Sequence, residues 1–168
     1  MLCRDMLDDE ISPDAYTIVA LLTTVSRVRG AEIGTHAVER IMSLKQRHGI
    51  KLNGHMCGAF IQAYRRCHDI EPAERCSRAE AVLKEADDGN LKLNAFVMNT
   101  MITMYWEAFR YDKAKEQYDI MIEMGIFPTY YTCEVMSGLC AEVGWMDEAA
   151  EFRKLQDSLS ATDVGDPS

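Results

Sequence analysis

Apolar residues along this chain recur at the i, i+3, i+4, i+7 spacing that gathers them on one face of a helix. The pattern restarts at equivalent offsets: Ile18, Leu21, Leu22, Val25; Cys57, Phe60, Ile61, Tyr64; Met98, Met101, Ile102, Tyr105; and Cys133, Met136, Ser137, Cys140. Ahead of each set stands a short turn ending in a polar residue: ISPD at Asp14, GIKLN at Asn53, NLKLN at Asn94 and GIFPT at Thr129, at intervals of 39, 41 and 35 residues. These four side chains can accept hydrogen bonds from the unpaired first-turn amides, so all four are expected N-caps. A second helix is predicted after each first one. Its stripes include Ile33, Ala37, Ile41, Leu44 and Ala79, Val82, Leu83, Ala86, closed by Gly49 or by Asp88 and Gly89. Pro72, Gly125 and Gly144 punctuate the remaining turns.

A helix pair this short cannot bury its apolar face alone, so successive pairs must stack. The predicted architecture is an all-α solenoid with one set of helices on its concave side. The expected divisions are 1–14 (the second half of a repeat), 15–53, 54–94, 95–129, 130–159, and a tail over 160–168. The tail, SATDVGDPS, lacks apolar periodicity and is expected to be disordered. The first two units are the longest, through longer second helices or inserted turns such as Asp69 to Cys76.

The unit AFVMNTMITMYWEAFRYDKAKEQYDIMIEMGIFPT, Ala95 to Thr129, resembles a complete 35-residue pentatricopeptide repeat, with a helix-turn-helix break around Arg110 and a closing M-G-I-x-P. The next, YYTCEVMSGLCAEVGWMDEAAEFRKL, matches the family's S-G-L-C and G-x-x-D-E-A segments. The two earlier units keep the helix starts but diverge. Tetratricopeptide repeats are the nearest rival, yet no W-x-x-L-G-x-x-Y pattern occurs. The resemblance implies a right-handed α-solenoid, a binding role without catalysis, and a mitochondrial or plastid location. The opening residues resemble only half a repeat, which predicts further sequence upstream.

Charge changes the picture of the ligand. The net charge of -9 is unevenly placed: Met1 to Thr100 carries 13 Lys/Arg against 14 Asp/Glu, whereas Met101 to Ser168 carries 5 against 13. A polyphosphate is repelled by acidic surface, so nucleic-acid contact is expected to avoid the last third. The six cysteines form no Cys-x-x-Cys pair and no finger-like arrangement with the histidines, which points to free thiols and away from structural zinc. No apolar run approaches the roughly 18 residues of a membrane span, and MLCRDMLDDE resembles neither a secretory signal nor a transit peptide.

In the resembled family one repeat reads about one base of single-stranded RNA through its fifth and last residues, with the second residue bracketing the base. The fifth positions here are Val19, Gly58, Asn99 and Glu134, and the last positions of complete units are Asn53, Asn94 and Thr129. Only Asn99 with Thr129 resembles a reading pair, implying a pyrimidine. An ordinary polar residue near a helix start explains Asn99 as well, and N-capping alone explains the last positions. The second positions Tyr16, His55, Phe96 and Tyr131 are all flat. Such side chains stack on bases, or pack against the neighbouring repeat.

Stacking contributes about 1 to 3 kcal/mol per base, against an association cost on the order of 4 to 15 kcal/mol. An array this short is therefore expected to bind RNA weakly or with help. The alternative is a protein-binding scaffold in a larger assembly. His36 with Glu39 and His68 with Glu71 have His-x-x-Glu spacing, which solvated helix faces explain. No His-x-Glu with Cys-x-x-Cys occurs, which excludes the zinc deaminase fused to some relatives, and no glycine loop cradles phosphate. No cofactor and no metal is expected.

Overall fold

The computed structural model describes residues 13–27 and 34–162, and every regular element among them is helical. Four helix pairs follow in chain order: α1 (Ala15–Arg27) with α2 (Thr35–Arg47), α3 (Gly54–Arg65) with α4 (Pro72–Asp88), α5 (Ala95–Glu107) with α6 (Tyr111–Glu123), and α7 (Tyr130–Val143) with α8 (Met146–Thr162). The predicted half repeat over 1–14 and Ile33 fall almost wholly outside the described residues, which begin at Pro13.

Each first helix starts where a short polar side chain caps it. Asp14 accepts from the Thr17 amide at 2.8 Å, Asn53 from Met56 at 2.9 Å and Asn94 from Val97 at 3.1 Å. Thr129 and Thr132 cap each other's backbone reciprocally. Behind the caps the apolar stripe is buried: Ile18 and Leu22; Cys57, Phe60 and Ile61; Met98, Met101 and Ile102; Cys133, Met136 and Cys140. A large side chain sealed in this way contributes about 1.5 to 3 kcal/mol. Helix α5 is buried from Val97 through Tyr105, the most enclosed segment of the chain.

The first helices pack side by side, α1 on α3, α3 on α5 and α5 on α7, each carrying its own second helix behind it. The backbones of α2, α4, α6 and α8 do not approach one another. Closer spacing on one side than the other curves the stack, so the first helices line the concave face. Across the convex side, side chains reach between pairs: Lys45 to Glu85, Arg78 to Glu39, and Glu80 to both Lys113 and Arg110, while Tyr118 of α6 meets Phe152 of α8 edge-on with ring centroids 5.1 Å apart.

Two expectations are corrected. Pro72 opens α4 rather than lying in an inserted turn, because its ring suits the first helical turn and its missing N–H has no partner to lose there. What remains of that insertion has a structural use: Asp69 accepts from the Thr35 amide and hydroxyl at 2.7 and 2.9 Å, capping α2 of the preceding unit. As expected, α4 ends at Asp88 with Gly89 as its C-cap, and the left-handed residue of the turn that follows is Asn90, at φ 51°. Finally, α8 continues through Thr162 into the predicted tail, because a helix already docked on α7 needs no apolar residue in its last turn.

Candidate nucleic-acid interface

The first turns of α1, α3, α5 and α7 place the second-position side chains in a row on the concave face. Tyr16 is 82% exposed, Phe96 56% and Tyr131 45%, and His55 is also exposed. Packing against the neighbouring unit therefore does not bury them. Phe96 makes one close contact, its ring lying across Gly58, where a Cβ would stand 3.1 Å from two ring carbons.

Two open pockets separate these flat side chains. The first lies between His55 and Phe96, with Gly58, Gln62 and Arg66 on its walls. The second, of about 440 Å³, lies between Phe96 and Tyr131 and is lined by Gln62, Arg65, Asn99 and Thr129. Neither lining contains a carboxylate. Arg65 is held in place by Glu107, at 2.7 Å through Nη2 and 3.2 Å through Nε. Arg66 donates to the Ser26 carbonyl.

The structure brings Asn99 and Thr129 together. Asn99 Nδ2 donates to Thr129 Oγ1 at 3.3 Å, and Asn99 Oδ1 accepts from Thr132 Oγ1 at 2.8 Å. The amide is only 6% exposed, so part of its hydrogen-bonding capacity orients it between two units. A primary amide carries two donors and two acceptor lone pairs, so one of each is left beside the pocket. Asn53 and Asn94 act as helix caps, and neither is among the residues lining the two pockets.

Val19 is half-buried, Gly58 is covered by Phe96, and Glu134 is exposed. The residues missed in sequence are Gln62, Arg65, Arg66 and Thr132. The first three lie one or two turns beyond the fifth position on the same helix face, a signal that the i+4 spacing carries. Thr132 is legible only as the third residue of the next unit, meeting the fifth residue of the one before.

Beyond Tyr131 the charge reverses. A third pocket, of about 560 Å³, is lined by Trp106, Phe109 and Tyr131 with Glu107, Glu134 and Glu142, and Arg65 is its only cation. Among the described residues no three His, Cys, Asp or Glu side chains gather as metal ligands. Five described cysteines are free and buried, and burial pushes the Cys57 thiol up to about 11, which makes it unreactive at neutral pH. No described helix is long and apolar enough to cross a membrane.

No family model matches the chain. A chloroplastic pentatricopeptide repeat-containing protein of Arabidopsis thaliana is 25% identical over 160 residues, covering 94% of this chain and 18% of its own length. A mitochondrial one from the same plant is 20% identical over 152 residues, covering 90% of this chain and 15% of its own length. The chain thus spans under a fifth of the length of these relatives.

Among solved structures, the pentatricopeptide repeat domain of Arabidopsis thaliana protein-only RNase P 1, in complex with tRNA, superposes with a TM-score of 0.76 at 12% identity, over 99% of this chain and 81% of that one. The pentatricopeptide repeat protein PPR10, in complex with an 18-nt psaJ RNA element, superposes at 0.70 with 18% identity, over 94% of this chain and 22% of that one. Capped helix pairs at a period of 35 to 41 residues and a solenoid that superposes on those structures give the chain the fold of a pentatricopeptide repeat domain, and the similar plant proteins bear that family's name.

Proposed function

We propose that this chain is a non-catalytic helical-repeat module that binds single-stranded RNA across the first turns of α1, α3 and α5, in a mitochondrion or plastid. The observation that carries the reading is the row of exposed flat side chains, Tyr16, His55, Phe96 and Tyr131, whose two intervening pockets carry guanidinium groups and no carboxylate. Bases would stack between successive rings, while Arg66, whose guanidinium donates to a carbonyl and not to a carboxylate, offsets phosphate charge. The RNA-bound proteins of like fold and the organellar names of the relatives support the same reading.

Asn99 with Thr129 is the one pair positioned to discriminate, using the amide valences left free by Thr129 and Thr132. Asn53 and Asn94 support the interface as caps rather than as readers. With so few stacked bases the affinity is weak unless neighbouring repeats or a partner contribute. Titrating a pyrimidine-rich oligonucleotide at several salt concentrations tests the proposal, because phosphate neutralisation makes affinity fall steeply as salt rises. Binding too weak to measure at low salt rejects it. Asn99→Ala is expected to weaken pyrimidine binding by about tenfold, within the range of one base-edge contact, and purine binding by less. Equal losses reject base reading at this position.

A second reading, a protein-binding scaffold, is favoured by a different observation: the carboxylates that collect beyond Tyr131.

A further inference from the structure

The concave surface between α5 and α7 ends in a pocket whose walls are aromatic and whose rim is acidic. Trp106 lies across Gly138, where a Cβ would stand 3.0 Å from the indole edge, so the bare backbone there lets the ring lie flat. Its Nε1 donates to Glu142, which also accepts from the Tyr111 hydroxyl at 3.1 Å. Tyr131 closes the opposite wall, its hydroxyl 3.5 Å from that of Thr103. Phe109 completes the rim, 73% exposed and set edge-on to Tyr111 with ring centroids 6.3 Å apart.

Phe109 also has a positive φ of 56°. The corresponding turn of the last unit uses Gly144, at φ 89°, and both turns close with the same pair of backbone hydrogen bonds. A bulky side chain in that conformation is unusual. Nothing in the fold of the turn requires the ring, which is left projecting at the pocket mouth.

Three carboxylates face this space, against the single guanidinium of Arg65, which already pairs with Glu107. Glu134 has no partner among the described residues. Among the described residues, cations lie over other rings, Arg110 and Lys113 over Tyr105 and Lys115 over Trp145, and none lies over Trp106, Phe109 or Tyr131. Aromatic faces and unneutralised carboxylates attract the same ligand, a cation with a flat apolar surface, and repel phosphate. A guanidinium meets both demands, stacking on rings while its fork donates to a carboxylate. We propose that this pocket receives an arginine side chain from an extended basic segment of a partner protein, so that the concave face is divided between an RNA track over the first three units and a peptide-binding end at the fourth.

The test uses the whole chain and a blocked, glycine-rich peptide carrying one arginine, with its citrulline counterpart as the uncharged control. The arginine peptide is expected to bind saturably and to shift the Trp106 indole N–H signal in a two-dimensional NMR spectrum. The citrulline peptide and Glu134→Gln should each weaken binding by about tenfold, the loss of one charge-assisted contact. Failure of the arginine peptide to bind, equal binding of the two peptides, or no loss in Glu134→Gln overturns the proposal. So does a pyrimidine oligonucleotide that moves the Trp106 signal when the peptide does not, which would make the pocket part of the RNA track. Glu134 and Phe109 are exposed, so Phe109→Ala gives a second folded variant, expected to lose peptide affinity as well.

Discussion

Phe109 occupies a backbone conformation that costs a side chain about 1 to 2 kcal/mol and costs glycine almost nothing. Phe109→Gly is therefore expected to raise stability, by about 1 kcal/mol in urea unfolding, because the exposed ring has little packing to lose. A destabilised variant would show that the contact with Tyr111 outweighs the strain. Individual functional residues were the least legible part of the sequence. Asn99 and Thr129 stood out as a pair only through the family resemblance, which makes the fifth and last residues of a unit its readers. Thr132, which fixes the Asn99 amide, looked like any residue in a first turn, and its role depends on how two units are juxtaposed. The flat side chains at Tyr16, His55, Phe96 and Tyr131 were visible from spacing, but whether they would be covered depends on curvature, which periodicity does not encode.

At the scale of elements, helix starts were readable because each carries its own local chemistry, a short oxygen-bearing side chain ahead of an apolar stripe. Helix ends were harder. Pro72 opened a helix where an inserted turn was expected, and α8 outran its apolar pattern, since docking on α7 sustains helix without further burial. Contacts between second helices were also invisible, because long charged side chains have no periodic signature. Glu80 illustrates their effect. Partial burial raises its pKa, but hydrogen bonds from Lys113 and Tyr105 and the charges of Lys113 and Arg110 hold it below the ordinary glutamate value of 4.5. The folded state thus binds this proton less readily than the unfolded chain, so the contribution of Glu80 is fully present above pH 4.5 and is lost as pH falls through its lowered value. In acid titration followed by circular dichroism, Tyr105→Phe is expected to be less stable than wild type above pH 4.5 and to show a shallower acid limb, because Glu80 loses one of the hydrogen bonds that lower its pKa. Coincident curves would show that hydroxyl to be dispensable.

For the whole molecule, the solenoid followed from repetition, since units that cannot fold alone must stack. The excess of carboxylates after Met101 was evident from composition, whereas its concentration around one concave pocket required the structure. The convex side has a mechanical consequence. Its second helices are linked from unit to unit by charged side chains over the first three units, and among the described residues no ion pair joins the third unit to the fourth. The concave side is joined throughout by close helix packing. The array therefore has the character of a leaf spring with one salt-sensitive edge, stiffer at low ionic strength. Raising salt well above 0.1 M, where the screening length is about 10 Å, should lengthen the distance between dyes on α2 and α6 by energy transfer, and leave that between α6 and α8 unchanged. A protein built this way would adjust its pitch to the ligand it follows over its first units and keep a fixed grip at its last.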